Sequence, residues 1–557
     1  METRRLPSSK YNLGMLMDTE AAPRLGGMNK RVFWLSLIFC LLAFMGFAIP
    51  NSKASEDLSM VRVFEPDEAA LFPVLQRMLA PRDGLLNSIK GFIAYDRYNK
   101  GFPFYGPSAL AVLPFREDGQ NFDIQKSFLA LRQLITVLPG LAAVWLLTYM
   151  HTGYRHWSAL LLMLLLLAVP AMLANGFWWH PDGLTLLGSA MVLFLVWKDR
   201  LRLGANFIWA AVVCGILTAA KSVGAFFAPL VLMVLVWSVA AGISSFKRAI
   251  GKAFAFLGIM LLSFLVSNPF LFSAWGRASF WHIITSQMES LSDGYDLVYP
   301  KGFAPAWAMV RGDYGSEFFI VAIISCALMG LFVKQKRFLH ALSLAWFLPL
   351  TLYLAFLSHY KFQYWLPAMI PLVACAGILL PGTVGKKAPG DWWKPLQALL
   401  SLVIGVQLLI FLVQDTQNVI GRINRAENSP TIQAYGAVEK LLEPISQIPL
   451  HAYVDPRLYF PDTAYWTTES NLGMLTIDYL SKGNFALIYL DQQRLRDYLN
   501  DDAIPIDPES YAENLPIYQR ANSGVVGGYS LVHRDENTLL FVWRSFCQEH
   551  FPAGVCE

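Results

Sequence analysis

Apolar runs long enough to cross about 30 Å of hydrocarbon as helices recur along this chain, with polar turns between them. Eleven such spans are expected. They fall at about 32–50, 130–150 and 157–174, then in a stretch ending at Lys198, then at about 204–220, 223–242 and 253–272. Two more end near Lys334 and Ser358, and the last lie at about 363–380 and 395–413.

The polar stretches differ in kind. Residues 51–128 form a long non-spanning loop, in which Ala69 to Ala80 places Leu71, Val74, Leu75, Met78 and Leu79 on one helical face. That pattern suits a helix lying in the membrane interface, and Leu85 to Phe92 repeats it more weakly. A second long loop, 273–314, is rich in Gly, Tyr, Trp and Asp. In the tail, Phe485 to Leu490, Tyr529 to Val532 and Leu539 to Trp543 read as strands, the last two as a hairpin, and Ile432 to Leu442 as a helix. The expected fold class is an α-helical polytopic membrane protein of about 11 transmembrane helices with a small C-terminal α/β soluble domain. Residues 1–31 are the polar N-terminus, 32–413 the membrane domain and 414–557 the tail domain.

Composition agrees. Of 557 residues 55% are hydrophobic and only 15% charged, against about 25% charged in a soluble protein. The net charge of +4 is too small to point to nucleic acid. Where the positive charges fall matters more. Arg4, Arg5, Lys10, Arg24, Lys30 and Arg31 precede the first span, which is read as a retained helix and not a cleaved signal. With eleven spans, the basic clusters at 198–202, 247–252, 334–337 and 386–394 share the side of the N-terminus, so that side is cytoplasmic. The loop 51–128, the turn at His180, Lys221, the loop 273–314, His359 to Lys361 and the tail then face the other way. Cys40, Cys214, Cys326 and Cys375 sit in apolar spans as inert small hydrophobes. Cys547 and Cys556, in the tail, are expected to pair in an oxidising compartment.

Candidate chemistry gathers on the non-cytoplasmic face. Phe64-Glu65-Pro66-Asp67-Glu68 brings concentrated negative charge beside the membrane, at a predicted helix start. Asp67 and Glu68 cap that helix, act as a general base or metal ligand, or do both. His180-Pro181-Asp182 is a second acidic turn, either a tight turn alone or, with Asp67, part of a divalent-metal set. Trp178 and Trp179 beside it read as interface anchors. Lys221 and Lys361 lie at span seams, where a cation at bilayer depth either snorkels or finds a partner such as phosphate. Tyr95, Tyr105 and Trp179 are packing residues by pattern, or stack on a sugar or lipid. No GxGxxG, Walker A, HExxH, CxxC pair or GxSxG falls in a suitable context, so nucleotide-driven chemistry is not indicated.

This order of motifs resembles the GT-C superfamily of membrane glycosyltransferases, in particular the branch with aminoarabinose transferases and protein mannosyltransferases. The residues that carry the resemblance are Asp67-Glu68 in the first long loop, the helices 69–92, His180-Pro181-Asp182, Thr218-Ala219-Ala220-Lys221-Ser222, and Lys361-Phe362-Gln363-Tyr364-Trp365-Leu366-Pro367. It covers residues 30–380 and not the tail. The chain departs from the family at His359-Tyr360-Lys361, where many members have Arg-Tyr, and at Glu65, which makes the acidic pair a triple.

The resemblance implies inverting sugar transfer from a polyprenyl-phosphate donor to a glycan, lipid or protein acceptor, in a bacterial inner membrane and facing the periplasm. It implies Asp67 or Glu68 as the base, with Lys221, Lys361 and His359 on the donor phosphate. Tyr95, Tyr105 and Trp179 would line the substrate, with Asp182 and His180 on a divalent metal, Mg or Mn. Transport or flipping of a lipid-linked sugar is the alternative. It would favour charges near the midplane and paired repeats, neither of which stands out in the sequence.

Overall fold

The structure is a computed structural model. It describes residues 28–557 except 96, 97, 99, 118–120, 295, 358–360, 382, 384–392, 472, 553 and 557. His359 and most of the basic stretch 386–394 therefore lie outside the described residues.

Helices form at each of the eleven expected places, but they differ in reach. Six are long and apolar enough to cross a bilayer: Lys30–Asn51, Ile124–Thr152, Ser222–Ala240, Phe246–Val266, Arg337–Leu354 and Trp393–Ile423. Phe303–Tyr314 and Glu317–Phe332 make a seventh if taken together, bent by 87°. Ser158–Leu167, Ala205–Ala220 and Leu366–Leu379 are shorter apolar helices, and Asp182–Asp199 is charged at both ends. Among the described residues, six or seven crossings meet the length and apolarity of a full span, and the other apolar helices are shorter.

Local chemistry explains the departures. The expected span at 157–174 breaks at Val169, whose backbone is extended ahead of Pro170; proline lacks the N–H and disfavours a helical residue before it. The span expected at 253–272 starts earlier, at Phe246, because the Ser245 side chain caps the Arg248 N–H, and it stops before Asn268-Pro269.

Contacts separate the two ends of the bundle. Asn29 N–H donates to the Tyr154 carbonyl at 3.0 Å, Arg248 to that of Arg202 at 3.4 Å, and Lys336 to that of His151. The helices starting or ending at these residues carry Asn51, Arg132 and Asp182 to the opposite end, where the acidic motif lies. The core between the ends is a continuous cluster from Val32 to Phe411.

Above the acidic end, the first loop builds its own core. Leu71, Phe72, Val74, Leu75 and Met78 of the helix Pro66–Leu79 pack on Phe104, Tyr105, Phe128 and Trp179. The face expected to lie on lipid is therefore buried in protein. The short helix Leu85–Ile93 keeps the exposed apolar residues instead, at Leu85, Leu86 and Ile89.

The tail forms a five-stranded sheet of order β2-β1-β3-β5-β4, from β1 (Leu450–Val454), β2 (Trp466–Glu469), β3 (Leu487–Asp491), β4 (Tyr529–Arg534) and β5 (Thr538–Trp543). β1 runs parallel to β2 and β3, and β5 pairs antiparallel with β3 and β4. β3 is buried along its whole length, as a central strand covered on both faces must be. The β4–β5 hairpin, the helix Pro430–Leu442 and the Cys547–Cys556 disulfide match the sequence reading. Tyr459 OH donates to Asp57 at 3.0 Å, Arg62 to Thr468 at 3.1 Å and Tyr498 OH to Asp296 at 2.6 Å, so the tail is docked on both long loops.

Trp346 is fully buried, stacks on Phe227 with ring centroids 3.6 Å apart and donates its indole N–H to the Pro367 carbonyl at 2.6 Å. Trp346→Ala is expected to cost about 3–5 kcal/mol, read as a lower unfolding temperature of the detergent-solubilised protein.

Candidate functional site

Pro66 opens the helix Pro66–Leu79, a position where its missing N–H costs nothing, and Asp67 and Glu68 occupy the first turn, where the helix dipole favours carboxylates. None of the three acids caps the helix through its side chain. Within one turn they reach three different partners.

Glu68 points inward. Its side chain has no exposed surface, and Arg132 grips it bidentately, with Nε to Oε1 at 3.0 Å and Nη2 to Oε2. The Trp179 backbone N–H also donates to it. Such a carboxylate has no room for an incoming acceptor. Glu65 accepts from Arg422 and, at 2.8 Å, from Arg425. Asp67 alone stays open: its side chain is 42% exposed, and Lys361 Nζ donates to Oδ2 at 2.7 Å.

Asp182 and Lys221 meet beside it. The helix Ala205–Ala220 ends at Lys221, whose backbone is extended, and this break turns Nζ to Asp182 Oδ1 at 2.6 Å. His180 Nδ1 pairs with the other Asp182 oxygen. The two acid–lysine pairs are joined through aromatic rings. Trp178 stacks on His180 at 4.6 Å with Lys361 Nζ 6.0 Å from its ring centre, and Lys221 Nζ lies 4.6 Å from the ring centre of Tyr364.

Lys100 completes the cluster. Gly101 beside it packs so tightly that a Cβ there would come within 1.8 Å of the Ala219 carbonyl oxygen and 2.8 Å of Asn268 Oδ1. Only glycine lets the loop approach the Lys221 break this closely.

Electrostatics follow from this crowding. Burial pushes the Asp67 carboxyl up, but Lys361 outweighs it and holds the group below the ordinary aspartate range. Burial and the charges of Lys221 and Lys361 bring Lys100 down to about 8, against the pull of Asp182 and Asp67. Burial takes His180 down to about 4, so it is neutral near pH 7. Among the described residues, Lys100, Lys221 and Lys361 face two carboxylates, leaving one positive charge unbalanced.

The donors expected for a divalent metal are engaged by protein groups. Both Asp182 oxygens are taken by His180 and Lys221, and Asp67 is taken by Lys361. No group of three or more His, Cys, Asp or Glu side chains among the described residues is arranged to hold an ion.

The rings expected to line the substrate are buried in protein. Tyr95 and Tyr105 are buried in an aromatic cluster with Tyr98 and Phe270, and Trp179 is buried against Phe104, its indole N–H donating to Ser108 at 2.9 Å. Neither Trp179 nor its neighbour Trp178 is an exposed interface anchor. The cations that sequence reasoning passed over are Lys100, Arg132, Arg422 and Arg425. Arg132 carries a readable signal, because an arginine inside an apolar stretch needs a partner.

Solved structures share this architecture. The chain is similar to ArnT from Cupriavidus metallidurans bound to undecaprenyl phosphate, with TM-score 0.53 and 10% identity over 94% of this chain and 99% of that one. It is similar also to the Archaeoglobus fulgidus oligosaccharyltransferase in the apo form, with TM-score 0.50 and 11% identity over 90% of this chain and 80% of that one. No protein-family model matches the sequence, and no curated protein matches it. At this identity the likeness is one of fold alone.

Arg132→Ala leaves the Glu68 carboxylate buried without its cation, which costs about 3–5 kcal/mol. Thermal unfolding should therefore show a larger loss for Arg132→Ala than for Arg132→Met combined with Glu68→Gln, which leaves no charge behind.

Proposed function

We propose that this protein is a membrane glycosyltransferase that moves a sugar from a polyprenyl-phosphate donor to an acceptor hydroxyl or amine, with inversion, at the non-cytoplasmic surface of a bacterial inner membrane. The carrying observation is the open carboxylate of Asp67 beside a cluster in which lysines outnumber acids. A base and an anion site are the two things this displacement needs. The GT-C fold is consistent with it, and the undecaprenyl phosphate on the similar ArnT supports a lipid phosphate as donor. The basic end of the bundle supports a cytoplasmic N-terminus.

In the proposed step the acceptor oxygen or nitrogen attacks the anomeric carbon from the face opposite the phosphate. Asp67 takes the acceptor proton as the new bond forms. The bond between the anomeric carbon and the phosphate oxygen breaks, and its electron pair leaves with the polyprenyl phosphate. Lys100, Lys221 and Lys361 meet the growing charge as point cations. Lys361 has a double part. In the free protein it holds Asp67 as a weak base. A donor phosphate competes for the ammonium, loosens that hold and lets the Asp67 carboxyl rise toward its ordinary range, which strengthens it as a base. Glu68 and Arg132 serve as the rigid mount, and His180 steadies Asp182, which in turn aims Lys221. The acceptor, whether glycan, lipid or protein, approaches under the docked tail.

Asp67→Asn should lower turnover by about 10²–10⁴-fold while polyprenyl phosphate still binds, measured as labelled sugar leaving the lipid. Near-normal transfer by this variant removes Asp67 as the base.

The pH profile follows from the two shifts. Asp67 is already ionised at neutral pH, so the acid limb lies below about pH 4. Lys100 is charged below about 8 and loses its proton above it, so kcat/KM should fall as pH rises through about 8. Lys100→Arg, which cannot deprotonate in this range, should flatten that alkaline limb.

A further inference from the structure

Glu65 and the end of the last long helix form a contact that the displacement step does not use. The helix Trp393–Ile423 has 31 residues, a length of about 46 Å against a hydrocarbon core of about 30 Å. Its C-terminal turns therefore project past the bilayer toward the tail. Arg422 in its last turn and Arg425 just beyond both donate to the same Glu65 oxygen, and their side chains are only 9% and 12% exposed. Arg422 also donates to the Phe177 carbonyl, immediately before Trp178, Trp179 and His180, and lies 5.5 Å from the Phe177 ring centre. Arg425 reaches the Ala54 carbonyl at 3.4 Å and lies 4.4 Å over the Phe64 ring. Glu65 is the N-cap residue of the helix carrying Asp67, yet its side chain makes no capping bond and is turned to the arginines.

We infer that Arg422 and Arg425 are positioning residues which, through Glu65 and the Phe177 carbonyl, hold the Asp67 helix and the His180-Asp182 turn in register, so that seating of the tail sets the geometry of the base. The inference rests on the proposed transfer reaction. Two segments far apart in sequence, 64–68 and 177–182, meet on one pair of guanidinium groups. The planar fork of arginine presents separate N–H groups to both in a fixed geometry, which a single ammonium does not set. Both arginines stand where the membrane helix hands over to the tail that covers the site. A small displacement of that helix end therefore moves both acidic segments together, and misplacing a reacting group by about 1 Å can cost about 10²-fold in rate.

The test compares Glu65→Gln, Arg422→Gln, their double variant, Arg422→Lys and Asp67→Asn in the full-length detergent-solubilised protein. Turnover is measured over a range of polyprenyl-phosphate sugar concentrations up to saturation and corrected for the folded fraction. Glu65→Gln and Arg422→Gln should each lower kcat by about 10–100-fold with KM for the donor changed by no more than about twofold. The double variant should lose much less than the product of the two single losses, because both remove the Glu65–Arg422 contact. Arg422→Lys should recover part of the rate. Unchanged kcat in the folded fraction, or effects that multiply in the double variant, overturns the inference. If Glu65→Gln fails to fold, Arg422→Lys carries the test alone: a wild-type kcat at lowered unfolding temperature assigns the contact to stability and overturns the positioning role. Asp67→Asn separates the two levels, since transfer surviving in that variant defeats the transferase reading itself.

Discussion

At the acidic end of this bundle each carboxylate removed from water is met by an opposite charge from another segment, and that pairing assembles the site. Glu65, Asp67 and Glu68 lie within one helical turn, yet they are met by cations from three different places: the last long helix, the residue before the short turn Phe362–Tyr364, and the helix Ile124–Thr152. Asp182 is met by Lys221 from a fourth. A buried ion without its partner is costly by several kcal/mol, so these pairings tie the ends of the helices together at one level. The fold is less a bundle carrying a site than a bundle whose one end is drawn together by ion pairs.

The pairs are not equivalent, and the differences divide the work. Glu68 and Arg132 are sealed, with further bonds to Asn51 and Trp179, and behave as a fixed mount. Asp67 and Lys361 are part-exposed and held by a single bond, so an incoming anion can separate them. Lys100, Lys221 and Lys361 together carry more charge than Asp67 and Asp182 return. That surplus of positive charge suits an anion.

Much of this is readable in the sequence, for a definite reason. Asp67, Asp182, Lys221 and Lys361 are charges at the seams of apolar runs, where the cost of burial makes any charge informative. Their meeting on one face is what the eleven-span reading of the sequence expects. The parts that escape reading depend on distance along the chain. Arg422 and Arg425 look like an ordinary basic helix end, and only their meeting with Glu65, 357 and 360 residues away, gives them a part. Lys100 reads as a loop lysine until Gly101 is seen packed on the Ala219 carbonyl. The burial of Tyr95, Tyr105 and Trp179 is not readable either, because an aromatic residue in a loop has the same pattern whether it lines a cleft or fills a core. The break before Pro170 is written in the sequence, but the apolar residues on both sides hide it.

In the proposed reaction one end of the bundle receives a lipid phosphate among its lysines, within reach of Asp67. An electron cryo-microscopy map of the full-length protein with undecaprenyl phosphate tests this most directly. The account predicts the phosphate in contact with at least two of Lys100, Lys221 and Lys361, with Lys361 shifted off Asp67 toward it. A phosphate bound elsewhere, while Lys361–Asp67 and Lys221–Asp182 remain closed, would contradict it.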